Sequence, residues 1–332
     1  MPLELKVVGK TNIGLVRKGN EDYLHIDNAN QVFAVCDGMG GHNAGEVASM
    51  MTAEMLEVTF TQFNTAMQND QNLSIGKALP VSGDILLKSI RLANRAIYSK
   101  AEKNSEFHGM GTTVVALAFE NDLLSIAHVG DSRAYRIEDR KLFPLTTDHS
   151  WIAEIQKTQN ISEEEASSVV GKNVITRALG VRDTVEVDYS LIKVKKGEKF
   201  LLCSDGLCGF ADDEEIFQSV DRADNDNEKI VDNLIQMAND RGGSDNVTII
   251  VAEVIDIAES NLPEVEVFTL QSEDDELLAV EDLWVERIDD FNSKKNSNAT
   301  VDSSTPQKKP VILIFALFFV AAAILIYFAT MK

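Results

Sequence analysis

Cysteine is scarce in this chain: Cys36, Cys203 and Cys208 are the only three in 332 residues, and no two form a CxxC pair. Such an odd, scattered set excludes a disulfide framework or a thiolate zinc site and fits a reducing compartment. Cys36 and Cys203 each sit in an apolar run, where cysteine serves as a small buried hydrophobe. Positive charge is short as well. There are 31 Lys and Arg against 53 Asp and Glu, a net charge of −22. That balance excludes nucleic acid as a partner, because phosphate backbones are bound by clustered Lys and Arg. Most of the acidic excess reads as solubilising surface, and the remainder suits a protein that binds cations or basic partners. The N-terminus, MPLELKVVGKTNIG, has no basic region followed by an apolar stretch, so no secretory leader is expected.

Long apolar runs are absent with one exception. Val311–Ala329 (VILIFALFFVAAAILIYFA) is apolar apart from one Tyr, and a bilayer-spanning helix needs roughly 17–25 such residues. Lys308 and Lys309 precede it and Lys332 follows. By the positive-inside tendency the large N-terminal part lies in the cytoplasm, on a single-pass anchor in the cytoplasmic membrane. The bland alternative, a buried soluble helix, would show a polar face that this run lacks.

Ordinary globular features fill residues 1–255. Short β-type runs recur at Val32–Cys36, Thr112–Phe119, Leu123–Val129, Ala134–Ile137, Val187–Val194, Lys199–Cys203 and Val247–Val254. Glu120-Asn121-Asp122 and Glu138-Asp139-Arg140 read as hairpin turns, so the sheets are expected to be largely antiparallel. Ala44–Phe63 places Val47, Met51, Met55 and Val58 on one helical face, and Ser82–Lys103 does so with Leu86, Ile90, Ala93 and Ile97. His149–Gln156 and Ser162–Val169 read as short helices in an insertion at about 149–170, the second opened by a capping-box pattern. Residues 256–310 turn acidic and polar and read as a linker. Within it, Leu277, Val280, Trp284, Ile288 and Phe291 recur at helical spacing over 274–291. This is either an amphipathic helix that docks on a partner or on the domain, or a transient helix in the tether.

The chemistry lies at strand ends. VFAVC runs into Asp37-Gly38, FLLCS into Asp205-Gly206, LLSIAHVG into Asp131, and Asp245-Asn246 stands immediately before VTIIVAEV. One Asp-Gly alone is more often a turn. An ionised carboxylate at the end of a buried strand needs compensation, and four of them suggest a cluster of hard oxygen donors suited to magnesium or manganese. Upstream, Arg17 precedes Asn20-Glu21-Asp22. Arg offers a planar fork for phosphate, although a lone Arg before carboxylates is usually a surface ion pair. Asp37-Gly38-Met39-Gly40-Gly41-His42 opens a helix. It resembles neither a Walker loop nor a dinucleotide fingerprint, and His42 alone reads as a helix-start histidine.

RKGNED, VCDGMGGHNAGEVAS, GMGTTVVAL, AHVGDSRAYR, LTTDHS, TRALG, LLCSDGL and GGSDNVTIIV follow one another from Arg17 to Val251. Together they resemble the ordered motif set of the metal-dependent, type 2C protein phosphatases in their bacterial form. The resemblance implies an α+β fold: a sandwich of two antiparallel β-sheets flanked by α-helices, followed here by the acidic linker and one C-terminal transmembrane helix. It implies two Mn2+ or Mg2+ ions held by Asp37, the Gly38 carbonyl, Asp205 and Asp245, with Asp22 acting through metal-bound water. A third, weaker ion would use Asp131, beside a flap at 149–170. Arg17 would bind substrate phosphate, His42 would help to position substrate, and Asn246 would sit against the ligands. Met39 stands where eukaryotic relatives carry a histidine thought to protonate the leaving group. The implied reaction is hydrolysis of phosphoserine and phosphothreonine in proteins by a water bridging two ions, opposing a serine/threonine kinase system at the membrane. The alternative is a catalytically weak phosphoprotein-binding regulator with the same fold.

Overall fold

In Lys199–Cys203, successive side chains point to opposite faces, as strand geometry requires. Phe200 and Leu202 join a core with Phe33, Val35, Val115 and Leu117, whereas Leu201 and Cys203 join another with Leu207, Ile216, Ile230 and Leu234. One strand therefore separates two cores, one between sheets and one between a sheet and helices.

The computed structural model describes residues 3–41, 44–69, 79–159, 174–257 and 268–270. One sheet runs in the order β1 (Glu4–Asn12), β11 (Val247–Asp256), β10 (Lys199–Cys203), β7 (Arg133–Glu138), β8 (Lys141–Pro144). The other runs β12 (Phe268–Leu270), β9 (Asp188–Lys193), β6 (Leu123–Val129), β5 (Val114–Glu120), β3 (Val32–Met39), β2 (Asp22–Asp27), with β4 (Gly111–Thr112) on the end of β3. Every pairing is antiparallel. Helices α1 (Ala44–Asn69) and α2 (Val81–Lys103) pack on β3, β5 and β6, and the helix α3 is Trp151–Gln159. Helices α4 (Asp205–Cys208), α5 (Asp213–Asp221) and α6 (Asn227–Asp240) cover the first sheet. The α+β sandwich flanked by helices is thus as expected.

Both anticipated hairpins form. Asn121 (φ 56°) turns β5 into β6, and Asp139 and Arg140, both at positive φ, make the primed turn between β7 and β8. Three expectations need correction. Of the expected face of α1, Met51 is buried but Val47, Met55 and Val58 are only half-buried at the border of a face centred on Ala48, Thr52, Leu56 and Thr59. Small residues there let α1 approach α2 closely enough for a hydrogen bond between Thr59 and Ser89. α5 and α6 were not anticipated, yet Asp212 and Glu215 form a reciprocal capping box and Asp226 caps α6. Within the stretch read as linker, Phe268–Leu270 pairs with β9, because an open sheet edge accepts a short strand of β-favouring residues.

The chain divides into Met1–Ser272 and Glu273–Lys332. The second unit lies outside the described residues, and with it the amphipathic segment 274–291 and the run 311–329. Residues 160–173, which include the second half of the expected flap, also lie outside them. Among the described residues no helix is long and apolar enough to cross a membrane.

Phe200 is fully buried and meets Phe119 edge-on, with ring centroids 5.7 Å apart. Phe200→Ala should lower stability by about 3–5 kcal/mol, measured by urea denaturation of the metal-free protein. A loss under about 1 kcal/mol would show that this inter-sheet core is not the main support.

Candidate metal centre

Antiparallel pairing carries the predicted aspartates to one end of the sandwich. Asp22, at the start of β2, stands opposite Asp37 near the end of β3. β10 ends at Cys203, paired with Ile249, so Asp205 beyond β10 and Asp245 before β11 share that end. Cys203 also pairs with Arg133, which places Asp131 of the β6–β7 turn beside them. Asp22, Asp37, Asp131, Asp205 and Asp245 are therefore assembled from five separate points in the chain.

The backbone around them is tightly fixed. Asp37 donates its N–H to Thr113 Oγ1 at 3.0 Å, and its carbonyl accepts from the Thr113 N–H at 2.8 Å and Thr112 Oγ1 at 2.9 Å. The Gly38 N–H donates to the Glu21 carbonyl at 3.1 Å. A Cβ on Gly38 would lie 2.2 Å from the Gly45 carbonyl oxygen, so this contact between β3 and the start of α1 requires glycine. Asp22 is buried and accepts from Ser204 Oγ at 2.8 Å, while the Thr248 N–H donates to the same Ser204 Oγ at 3.0 Å.

The carboxyl groups repel one another. Burial, with the charges of Asp205 and Asp245 adding, pushes Asp22 up to about 7 against its hydrogen bonds from Thr248 and Ser204. Asp37 is held well above the usual carboxylate range by burial and by Asp22, Asp205 and Asp131. Asp131 is pushed up to about 7 by burial, Asp205 and Asp148, and Asp205 is raised by burial and Asp245. Crowded, desolvated carboxylates are the electrostatic signature of a cation site. All the donors are hard oxygens, which fits magnesium or manganese better than zinc or copper. Thiol chemistry is not on offer, since burial and the charges of Asp22 and Asp37 push the Cys36 thiol up.

Arg17 also reaches the cluster. Its Nη2 donates to Asp245 Oδ2 at 2.7 Å and its Nε to the Ser244 carbonyl at 3.4 Å, on a half-exposed side chain. The loop that carries Arg17 is tied down by Asn246, whose Oδ1 accepts from the Glu21 N–H at 2.8 Å. Asn246 Nδ2 donates to the carbonyls of Ile13 and Gly19 at 2.9 and 3.0 Å. Met39 ends β3 opposite Gly111, and His42 lies outside the described residues. Two partners had drawn no individual role from sequence. Arg133 donates through Nε and Nη2 to both oxygens of Asp148, at 2.8 and 2.7 Å, and these two residues line a cavity of about 270 Å³ beside Asp131 and Asp205. Their signal was the opposite charge of the Arg in GDSR and the Asp in TDHS.

Among known proteins, residues 17–247 match the protein phosphatase 2C family. The chain belongs to that family. This phosphatase is 36% identical over 248 residues to the serine/threonine phosphatase stp of Listeria monocytogenes, covering 74% of this chain and 94% of stp. It is 32% identical over 278 residues to the serine/threonine protein phosphatase PstP of Mycobacterium tuberculosis, covering 83% of this chain and 50% of PstP. The crystal structure of PstP superposes with a TM-score of 0.65 at 32% identity, over 76% of this chain and 99% of that one. The catalytic domain of PstP in complex with two manganese ions superposes at 0.63 and 31% identity, over 76% and 100%. The protein is a metal-dependent serine/threonine protein phosphatase of the 2C type.

The raised carboxyls bind protons in the folded state that the unfolded chain releases near pH 4. Their contribution to stability is present below about pH 4 and lost as pH rises through about 7. The melting temperature in EDTA should therefore fall between about pH 5 and 8, and the rise produced by Mn2+ should grow over the same interval. Calorimetry in matched buffers checks this, and an increment independent of pH would contradict it.

Proposed function

We propose that the protein hydrolyses phosphoserine and phosphothreonine in proteins, with Asp37, the Gly38 carbonyl, Asp205 and Asp245 holding two Mn2+ or Mg2+ ions. Asp22 supports that pair through water, and Asp131 contributes to a third, weaker ion. When bound, such ions would supply positive charge to the phosphoryl oxygens and lower the pKa of an attacking water. The single observation that carries this reading is the convergence of five aspartates, several held above the carboxylate range by burial and by one another, at one end of the sandwich.

The chain's own residues account for substrate binding. Arg17 is half-exposed and pairs with Asp245, a contact it exchanges for the incoming phosphate. Its fork keeps full charge at working pH and matches two phosphoryl oxygens. Asn246 sets the reach of that fork by holding the loop from Ile13 to Glu21. His42, at the opening of α1, helps to position substrate.

Hydrolysis of p-nitrophenyl phosphate and of a phosphothreonine peptide tests the proposal. Turnover should depend on Mn2+ or Mg2+, stop with EDTA and be lost in Asp205→Asn. Arg17→Ala should lower kcat/KM by roughly 10²–10³-fold, with Arg17→Lys intermediate. No turnover by the folded protein with any metal would leave the phosphoprotein-binding regulator as the reading.

In the cell, the enzyme opposes a serine/threonine kinase system from the cytoplasmic face of the membrane, anchored through 311–329. The apolar length of that run and the lysines at 308 and 309 support this placement. Removing residues 311–332 should move the protein from the membrane fraction to the soluble fraction with turnover of p-nitrophenyl phosphate retained. An unchanged distribution would remove the anchor from the account.

A further inference from the structure

Apart from the aspartate cluster, the described residues bring His128, His149 and Asp188 together, with one ligand atom of each within 4.8 Å of the others. Such a trio invites a metal, and its hydrogen bonds speak against one. Gly130 donates its N–H to His149 Nδ1 at 3.0 Å, and an amide N–H can only donate. Nδ1 therefore carries no proton, and the proton of the neutral ring sits on Nε2, 3.3 Å from Asp188 Oδ2. His128 Nε2 lies 2.9 Å from the Thr147 carbonyl, which can only accept, so that nitrogen is protonated as well. Arg177 Nη1 donates to Asp188 Oδ1 at 2.6 Å; a guanidinium cannot accept, so its 3.0 Å approach to His149 Nε2 sets two donors side by side on one carboxylate. A guanidinium already neutralises the one carboxylate of the trio.

What His149 holds is Gly130. The His149 N–H donates to the Gly130 carbonyl at 2.9 Å, so both backbone polar groups of Gly130 end on one residue. Gly130 has φ +112°, and a Cβ there would lie 2.6 Å from Thr113 Cβ, which leaves this turn to glycine. The next residue is Asp131. His149 is itself anchored from above and behind. Its ring stacks on His128 at 4.6 Å, and its carbonyl accepts from the Thr176 N–H at 2.8 Å. Asp188 faces Nε2–H with its other oxygen held by Arg177, whose Nη1 donates to Asp188 Oδ1 at 2.6 Å.

We propose that His149 is a positioning residue for Asp131: unprotonated at Nδ1 and with Nε2–H turned to Asp188, it fixes the Gly130–Asp131 backbone so that the Asp131 carboxylate meets a divalent ion. This rests on the reading of Asp131 as a ligand of the weakest ion. His149→Asn places an amide oxygen where Nδ1 stands and keeps an acceptor for Gly130. His149→Gln matches Nε2 and leaves the Gly130 N–H without one.

Two measurements on the full chain decide the matter: imidazole ¹⁵N shifts of the metal-free protein, and Mn2+ titration calorimetry of both variants and of Asp131→Asn. The shifts should show His149 unprotonated at Nδ1 and protonated at Nε2. His149→Gln should weaken the weakest Mn2+ site by roughly 10–100-fold, as Asp131→Asn does, while His149→Asn stays near wild type. A protonated Nδ1, or equal weakening by the Gln and Asn variants, would overturn the proposal. So would a weakest site lost in Asp131→Asn but intact in His149→Gln. If Asp131→Asn leaves every site intact, the ligand reading itself falls and takes the proposal with it. Should His149→Gln fail to fold, the ¹⁵N shifts of the wild-type protein still decide the tautomer.

Discussion

Mutual repulsion among buried carboxylates is the constraint around which this fold is arranged. Asp22, Asp37, Asp131, Asp205 and Asp245 come from separate strand ends, and burial and neighbouring charge keep several of them from ionising freely. A sandwich built for stability alone would place polar uncharged residues there. The surrounding structure resists the repulsion by fixing the backbone. Thr112 and Thr113 hold Asp37, Ser204 holds Asp22, and Asn246 holds the loop beneath Arg17. The inter-sheet core of Phe33, Phe119 and Phe200 then anchors the strands that carry these ends.

The same constraint explains why Arg17 takes the place it does. With carboxylates crowded around it, the guanidinium rests on Asp245, and it is exposed enough to turn toward a phosphate. A lysine in its place would present a point charge and lose the planar fork. Under the proposed function, that one residue would serve the resting site and the substrate in turn.

Much of this was legible in the sequence because strand-end aspartates leave a local mark: an apolar run that stops at Asp37, Asp131 or Asp205. The hairpin residues Asn121, Asp139 and Arg140 were equally plain, since turns are local chemistry. What escaped was non-local or weakly patterned. β1 alternates too faintly in ELKVVGKTN to announce a strand, and its pairing with β11 joins residues more than two hundred positions apart. α5 and α6 carried clear caps at Asp212 and Asp226, but their short apolar stripes were overlooked beside the longer helices. The buried face of α1 was misplaced because hydrophobicity favoured Val47 and Met55, whereas close packing favoured Ala48 and Thr52. His149 stood in a segment that was noticed for its resemblance, and only the tertiary contact with Gly130 gives it a task.

Ser204 sits between Asp22 of one sheet and Thr248 of the other, and its hydroxyl has a direction. Its lone pair takes the Thr248 amide proton while its own proton is given to Asp22. The seam between the sheets is therefore polarised. A change of charge on Asp22 strengthens or weakens the donation from Ser204, and with it the acceptor quality that β11 feels. The interior of the sandwich can thus register the charge state of the site through bond polarity alone, without any atom having to travel.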